Sequence, residues 1–132
     1  MILVDSSFWI DFFNGVDSPP AEKPDQLLGH EMIVTGDLIV MEVLLQGFQS
    51  DGHFHQARRV LEELPFFNLF NKELSLRAAE NYRSLRKKGV TVRKTIDVII
   101  GTFCIENRIH LLHNDRDFNS LGAYLGLQVI SC

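Results

Sequence analysis

The chain has 132 residues, 45% of them hydrophobic and 23% charged, with a formal net charge of −4. This is one domain's length with ordinary globular composition; it excludes a disordered, collagen-like or disulfide-stapled chain, because two cysteines, Cys104 and Cys132, make no scaffold. No run of 18 apolar residues is present and Met1 to Asp5 has no basic flank, so neither a membrane span nor a signal peptide is expected, and a reducing, cytoplasmic setting is.

Ile2, Leu3 and Val4 form an apolar run without polar alternation, which predicts a central parallel strand buried on both faces. Ser6 or Ser7 is placed to cap a helix through Phe8, Trp9, Ile10, Phe12 and Phe13, ended by Gly15. The proline-rich stretch 15–25 reads as an internal loop, and 26–30 as a helical turn or two. Ile33 and Val34 predict a short strand, Thr35 a cap, and 37–46 a helix stopped by Gly47. Residues 53–64 are helical, with Phe54, Ala57, Val60, Leu61 and Leu64 on one stripe. Pro65 closes that helix, and 66–69 is a further strand. The longest helix is 72–87, with Leu74, Ala78, Tyr82 and Leu85 as its apolar line and Gly89 as its stop. Thr95 opens the most apolar helix. Residues 109–112 predict a strand, 116–124 a short helix, and 129–130 a last strand. The alternation predicts an α/β fold of three layers, a mostly parallel sheet of four or five strands with helices on both faces, as a single domain over 1–132. In such sheets, sites gather at the carboxyl ends of the strands.

Asp5 directly follows the first strand, and Asp115 and Asp117 follow the 109–112 strand. Asp97 lies in the first turn of the Thr95 helix. Each of these three junctions is also a natural place for a helix-capping carboxylate. Glu42 differs, because it sits among Ile39, Val40, Met41, Val43, Leu44 and Leu45, where an unpaired buried charge costs several kcal/mol. Acids gathered at one sheet edge repel and raise their pKa values unless a cation neutralises them. Carboxylate oxygens suit Mg²⁺ or Mn²⁺, and no cysteine–histidine spacing suggests zinc. His53, His55, His110 and His113 read as structural or solvent-facing. The aromatic stripe Phe8, Trp9, Phe12 and Phe13 reads as core.

Charge is unevenly spread. From Lys72 to Lys94 there are eight bases and two acids, leaving five bases and fifteen acids elsewhere. A positive segment on an acidic body can bind an anionic polymer, although a solvated helix face explains the same pattern.

Four stretches carry a resemblance: Val4-Asp5-Ser6-Ser7-Phe8-Trp9-Ile10-Asp11, Val40-Met41-Glu42-Val43-Leu44-Leu45-Gln46-Gly47, Thr95-Ile96-Asp97-Val98-Ile99-Ile100 and Leu112-His113-Asn114-Asp115-Arg116-Asp117-Phe118. In this order across the chain they resemble the PIN-domain ribonucleases and, among these, the VapC-type toxins of bacterial toxin–antitoxin pairs. His113 is a small departure, at a position where Thr or Ser often precedes the Asn. The resemblance implies a Mg²⁺- or Mn²⁺-dependent endoribonuclease with Asp5, Glu42, Asp97 and Asp115 around the metal. Asp5 and Asp97 are then the direct ligands, with Glu42 and Asp115 holding metal-bound water or completing the shell. Asp117 matches a further acidic position, reached through water. Ser6 and Ser7 share the place of the family's small hydroxyl residue, and Asn114 supports the site. The resemblance also implies RNA products with a 5′-phosphate and a 3′-hydroxyl, a small VapB-type antitoxin that wraps the toxin and blocks the acidic pocket, and homodimers as a common assembly. Arg86, Lys87, Lys88, Arg93 and Lys94 would steer the RNA backbone, so changing Arg93 and Lys94 to Glu should weaken RNA binding and leave Mn²⁺ affinity nearly intact.

Other readings are a non-toxin PIN-domain RNA-processing nuclease and a non-catalytic RNA-binding module; the second has no need of Glu42 in an apolar helix. A receiver-like domain would want paired acids after the first strand and a late lysine. Here Ser6 and Ser7 follow Asp5, and no lysine follows Lys94. An Asp-x-Asp phosphatase fails at Ser7.

Overall fold

The computed structural model describes residues 1–14, 32–46 and 48–130. Among these residues five short strands pair in parallel: β1 (Ile2–Val4), β2 (Ile33–Gly36), β3 (Phe66–Phe67), β4 (His110–Leu112) and β5 (Val129–Ile130). Their order is β3-β2-β1-β4-β5. The unbroken apolar run of β1 belongs in the centre, and it is there. Ile2 lies opposite Ile33 on one side and His110 on the other, and Leu3 and Val4 are wholly buried.

Among the described residues six α-helices accompany the strands: α1 (Ser6–Phe13), α2 (Asp37–Leu44), α3 (Asp51–Glu62), α4 (Lys72–Lys87), α5 (Thr95–Asn107) and α6 (Asn119–Leu125). The chain steps outward from β1 through β2 to β3, then returns past β1 to β4 and steps the other way to β5. Right-handed crossovers therefore put α1, α2 and α3 on one face and α4, α5 and α6 on the other. The packing agrees: α1 lies on α2 and α2 on α3, while α4, α5 and α6 pack on one another. The winding direction reverses between β1 and β4. That is where a doubly wound sheet opens a crevice beyond its strand ends.

Several predicted boundaries move. Asp5, rather than Ser6 or Ser7, caps α1, its carboxylate accepting the Ser7 N–H. Gly36, not Thr35, occupies the cap of α2; Thr35 is buried in β2, and a Cβ at Gly36 would lie 2.5 Å from Leu69 Cγ. Ser50 accepts the His53 N–H, so α3 begins at Asp51 rather than His53. β3 is only Phe66–Phe67, because Leu69 turns into the core and its N–H is taken by Asp37 Oδ1 at 3.0 Å. The 116–124 helix divides into a 3₁₀ turn, Arg116–Phe118, and α6, which ends at the left-handed Gly126. The expected turn at 26–30 and the stops at Gly15 and Gly47 lie outside the described residues. Phe8 and Trp9 are buried, and Trp9 stacks on Phe13 with ring centroids 5.6 Å apart, as expected of a core stripe.

Candidate active site

The crevice at the β1–β4 switch is acidic. A cleft of about 430 Å³ is lined by Asp5, Ser6, Ser7, Glu42, Asp97, Asn114 and Asp115, with Asp11, Lys94 and the side chains of Ile10, Leu45 and Gln46 around them. Topology delivers each acid. Asp5 follows β1, and its backbone N–H continues the β1–β4 ladder to Leu112 O at 2.9 Å. Asp115 follows β4. Glu42 comes from α2, which leaves the end of β2, on a helix whose Ile39 and Val43 are buried and whose Met41 and Leu45 are exposed. Asp97 lies in the first turn of α5.

Capping and cleft-lining prove to be one arrangement. Asp5 spends Oδ2 on α1, accepting from Ser7 N at 3.0 Å and Ser7 Oγ at 2.6 Å, while Oδ1 is buried with no partner. Asp115 spends Oδ1 on the Asp117 N–H at 2.9 Å, capping the 3₁₀ turn, and its Oδ2 takes Lys94 Nζ at 3.0 Å. Asp97 is 3% exposed and leaves Oδ2 unpartnered; Asp117 Oδ2 is likewise buried and unpartnered. Among the described residues, Asp97, Asp115 and Asp117 can each offer an oxygen within 4.8 Å of the other two. Asp5 and Glu42 stand outside that tightest trio but share its field.

Burial sets the electrostatics. It pushes Asp97 up to about 7, reinforced by Asp5 and Asp115 and opposed by Lys94. Burial also raises Asp5, against the pull of the Ser7 hydroxyl and N–H. Glu42 is raised by burial too, with the Ser6 hydroxyl, 2.9 Å from Oε1, opposing. Burial alone would raise Asp115, but the Asp117 N–H and Lys94 outweigh it and hold this carboxyl below its usual value. Buried polar atoms normally find partners. Three orphaned carboxylate oxygens in one region make a donor set of hard oxygens, which fits a hard divalent cation such as Mg²⁺ or Mn²⁺.

A family model for the PIN domain matches residues 2–124. Ribonuclease VapC11 of Mycobacterium tuberculosis is 32% identical over 134 residues, which cover 99% of this chain and 98% of that one. The chain belongs to the PIN-domain family, among the VapC ribonucleases. Solved structures share the fold: VapBC2 of Rickettsia felis, bound to a promoter DNA fragment, superposes with a TM-score of 0.77 at 13% identity, covering 98% of both chains. VapC20 of Mycobacterium tuberculosis, a sarcin–ricin loop cleaving toxin, does so with a TM-score of 0.72 at 17% identity, covering 92% of this chain and 95% of that one.

In this PIN-domain chain the structure brings Asp5, Glu42, Asp97 and Asp115 to one cleft, with Ser6, Ser7 and Asn114 beside them. Ser7 is the hydroxyl that ties the motifs together, since its Oγ donates to Asp5 and accepts the Asn114 N–H at 2.9 Å. Ser6 serves Glu42 instead. His113 is structural: its Nδ1 accepts the Asp115 N–H at 3.2 Å, its ring packs on Phe118, and burial holds it below its usual pKa. Asp11, not singled out from the sequence, accepts a hydrogen bond from the Asn114 side chain. The signal was available, since Asp11 is one helical turn beyond Ser7 and so on its face of α1. The basic segment divides. Arg86, Lys87 and Lys88 are exposed, Arg86 over Tyr82 and Lys88 over Tyr124. Arg93 and Lys94 instead pair with Asp117 and Asp115, so reversing their charge acts on the acidic cluster as well as on RNA.

Proposed function

We propose that this protein is a Mg²⁺- or Mn²⁺-dependent endoribonuclease acting as the toxin of a VapBC-type pair, folded as one domain over 1–132 and working in the cytoplasm. The observation that carries the reading is the set of buried, partnerless oxygens of Asp5, Asp97 and Asp117 in one acidic region. No helix of the described residues is long and apolar enough to cross a membrane.

Asp97, Asp115 and Asp117, which can each offer an oxygen within 4.8 Å of the other two, would hold the ion, with Asp5 and Glu42 completing the shell directly or through water. A bound divalent ion supplies a more acidic water and neutralises charge on the phosphoryl oxygens. Glu42, tethered by Ser6 at Oε1 and half-buried, uses Oε2 to orient the attacking water and take its proton. Asn114 and Ser7 keep the Asp5 and Asp115 loops in register. Arg86, Lys87 and Lys88 attract the RNA backbone, which the acids would otherwise repel. A VapB-type antitoxin would silence the protein by covering the cleft, where Leu45, 73% exposed, offers an apolar lip.

The test is incubation of the purified protein with labelled RNA in Mn²⁺ or in EDTA, beside Asp97→Asn. Cleavage should need Mn²⁺, and the variant should lose more than about a hundredfold, beyond the range typical of a residue that only supports a ligand. Cleavage in EDTA, or full activity of a folded Asp97→Asn protein, overturns the mechanism. Failure of the neighbouring reading frame's product to bind and inhibit the protein would overturn the toxin assignment alone.

A further inference from the structure

Asp115 differs from the other acids of the cleft in having both oxygens engaged. Oδ1 accepts the Asp117 N–H at 2.9 Å and Oδ2 accepts Lys94 Nζ at 3.0 Å. Asp5, Asp97 and Asp117 each keep a buried oxygen with no partner. A divalent ion drawing on Asp115 must therefore share a carboxylate that Lys94 already neutralises, which would press two cations together. Arg93 is under no such conflict, because it lies 3.4 Å from Asp117 Oδ1 and leaves Oδ2 unused.

Lys94 is built to let go. Its backbone is anchored, since its carbonyl accepts the Asp97 N–H at 3.1 Å at the start of α5, while its side chain makes no capping bond. That side chain is 56% exposed, so its flexible stem can swing outward without unpacking anything.

We propose that Lys94 is an exchangeable counter-cation: its ammonium neutralises Asp115 until a divalent ion enters, then moves to the cleft mouth, where it binds a phosphate of the RNA. This rests on the metal reading of the cleft. Lys94 then opposes metal binding in the free protein and ceases to oppose it once RNA has drawn the ammonium away, so RNA favours the metal. Such coupling is reciprocal between the two ligands.

The experiment is Mn²⁺ titration by calorimetry, without RNA, of the wild type, Lys94→Met, Lys94→Arg and Lys87→Met, with melting curves confirming that each is folded. Lys87→Met removes one charge from the same basic segment at an exposed side chain outside the acidic cleft. Lys94→Met should bind Mn²⁺ roughly two- to fivefold tighter, the range expected for losing one partly exposed ion pair. Lys94→Arg and Lys87→Met should stay close to the wild type. In cleavage at saturating Mn²⁺, Lys94→Met should show a raised KM for RNA. Unchanged or weaker Mn²⁺ binding by Lys94→Met overturns the exchange, as does equal tightening in Lys87→Met, and both leave the metal reading standing. No Mn²⁺ binding by the folded wild type overturns the metal reading and the exchange together.

Discussion

Helix α5 changes character within one turn. Asp97 and Ile100 are three residues apart and almost equally hidden, at 3% and 0% exposed. Ile100 joins the apolar core with Val98 and Cys104, where loss of water favours the folded state. Asp97 buries a carboxylate with one oxygen unpartnered, in the field of Asp5, Glu42 and Asp115, where loss of water opposes it. Equal burial thus has opposite signs on one helix. The packed part of α5, fixed where Gly101 lets Leu121 of α6 approach closely, holds the frustrated part in place.

The sharpest way to break this contrast is Asp97→Asn, followed as stability against pH in EDTA. Asp97 ionises near 3.8 unfolded and about 7 folded. Between those values the folded protein keeps a proton that the unfolded chain has lost, so this group's contribution to stability falls as pH rises from about 4 to 7. Asp97→Asn removes that fall. The variant and wild type should differ little near pH 4. At pH 8 the variant should be more stable by a few kcal/mol, since each tenfold change in proton affinity is worth about 1.4 kcal/mol. Added Mn²⁺ should narrow the gap by stabilising the wild type. A difference independent of pH would mean that Asp97 is not electrostatically strained.

A smaller effect is expected on the basic side. Replacing Arg86, Lys87 and Lys88 together by Ser should weaken RNA binding about tenfold at moderate salt and flatten its salt dependence. Mn²⁺ affinity should not change, unlike after Lys94→Met. An unaltered salt slope would remove α4 from the RNA path.

The mildest change sharpens the contrast from the core side. Ile100→Val should destabilise by about 0.5–1.5 kcal/mol. The loss should be the same at pH 5 and pH 8, and cleavage per folded molecule should be unaltered. A pH-dependent loss would show that the core and the cleft are not separable along α5.

Much of this molecule was legible in its sequence, for identifiable reasons. Helix α4 runs from Lys72 to Lys87 as its apolar line predicts, because 16 residues of regular spacing leave little ambiguity. Capping was harder to read: Asp5 and Gly36 take positions that Ser6, Ser7 and Thr35 could equally fill, and hydroxyl and carboxylate caps look alike in sequence. Strand order was not legible, since strands of two to four residues carry no record of their neighbours. For the acids, position in the chain put Asp5, Asp97 and Asp115 at helix starts along one sheet edge and Glu42 inside an apolar helix, and the family resemblance added Glu42 to the same site. Capping and cleft-lining looked like rivals in sequence, yet Asp5 divides its two oxygens between them. The Lys94–Asp115 and Asn114–Asp11 contacts join elements far apart in the chain, and no local pattern announces them.

The pairing of β1 with β4 also sets a schedule for synthesis. A nascent chain that has left the ribosome only through α4 carries Asp5 and Glu42 but neither Asp97 nor Asp115, and the strand that must sit beside β1 has not yet emerged. The catalytic constellation proposed here therefore cannot close until β4 has emerged, and a chain that stops at the end of α4 lacks two of the four acids.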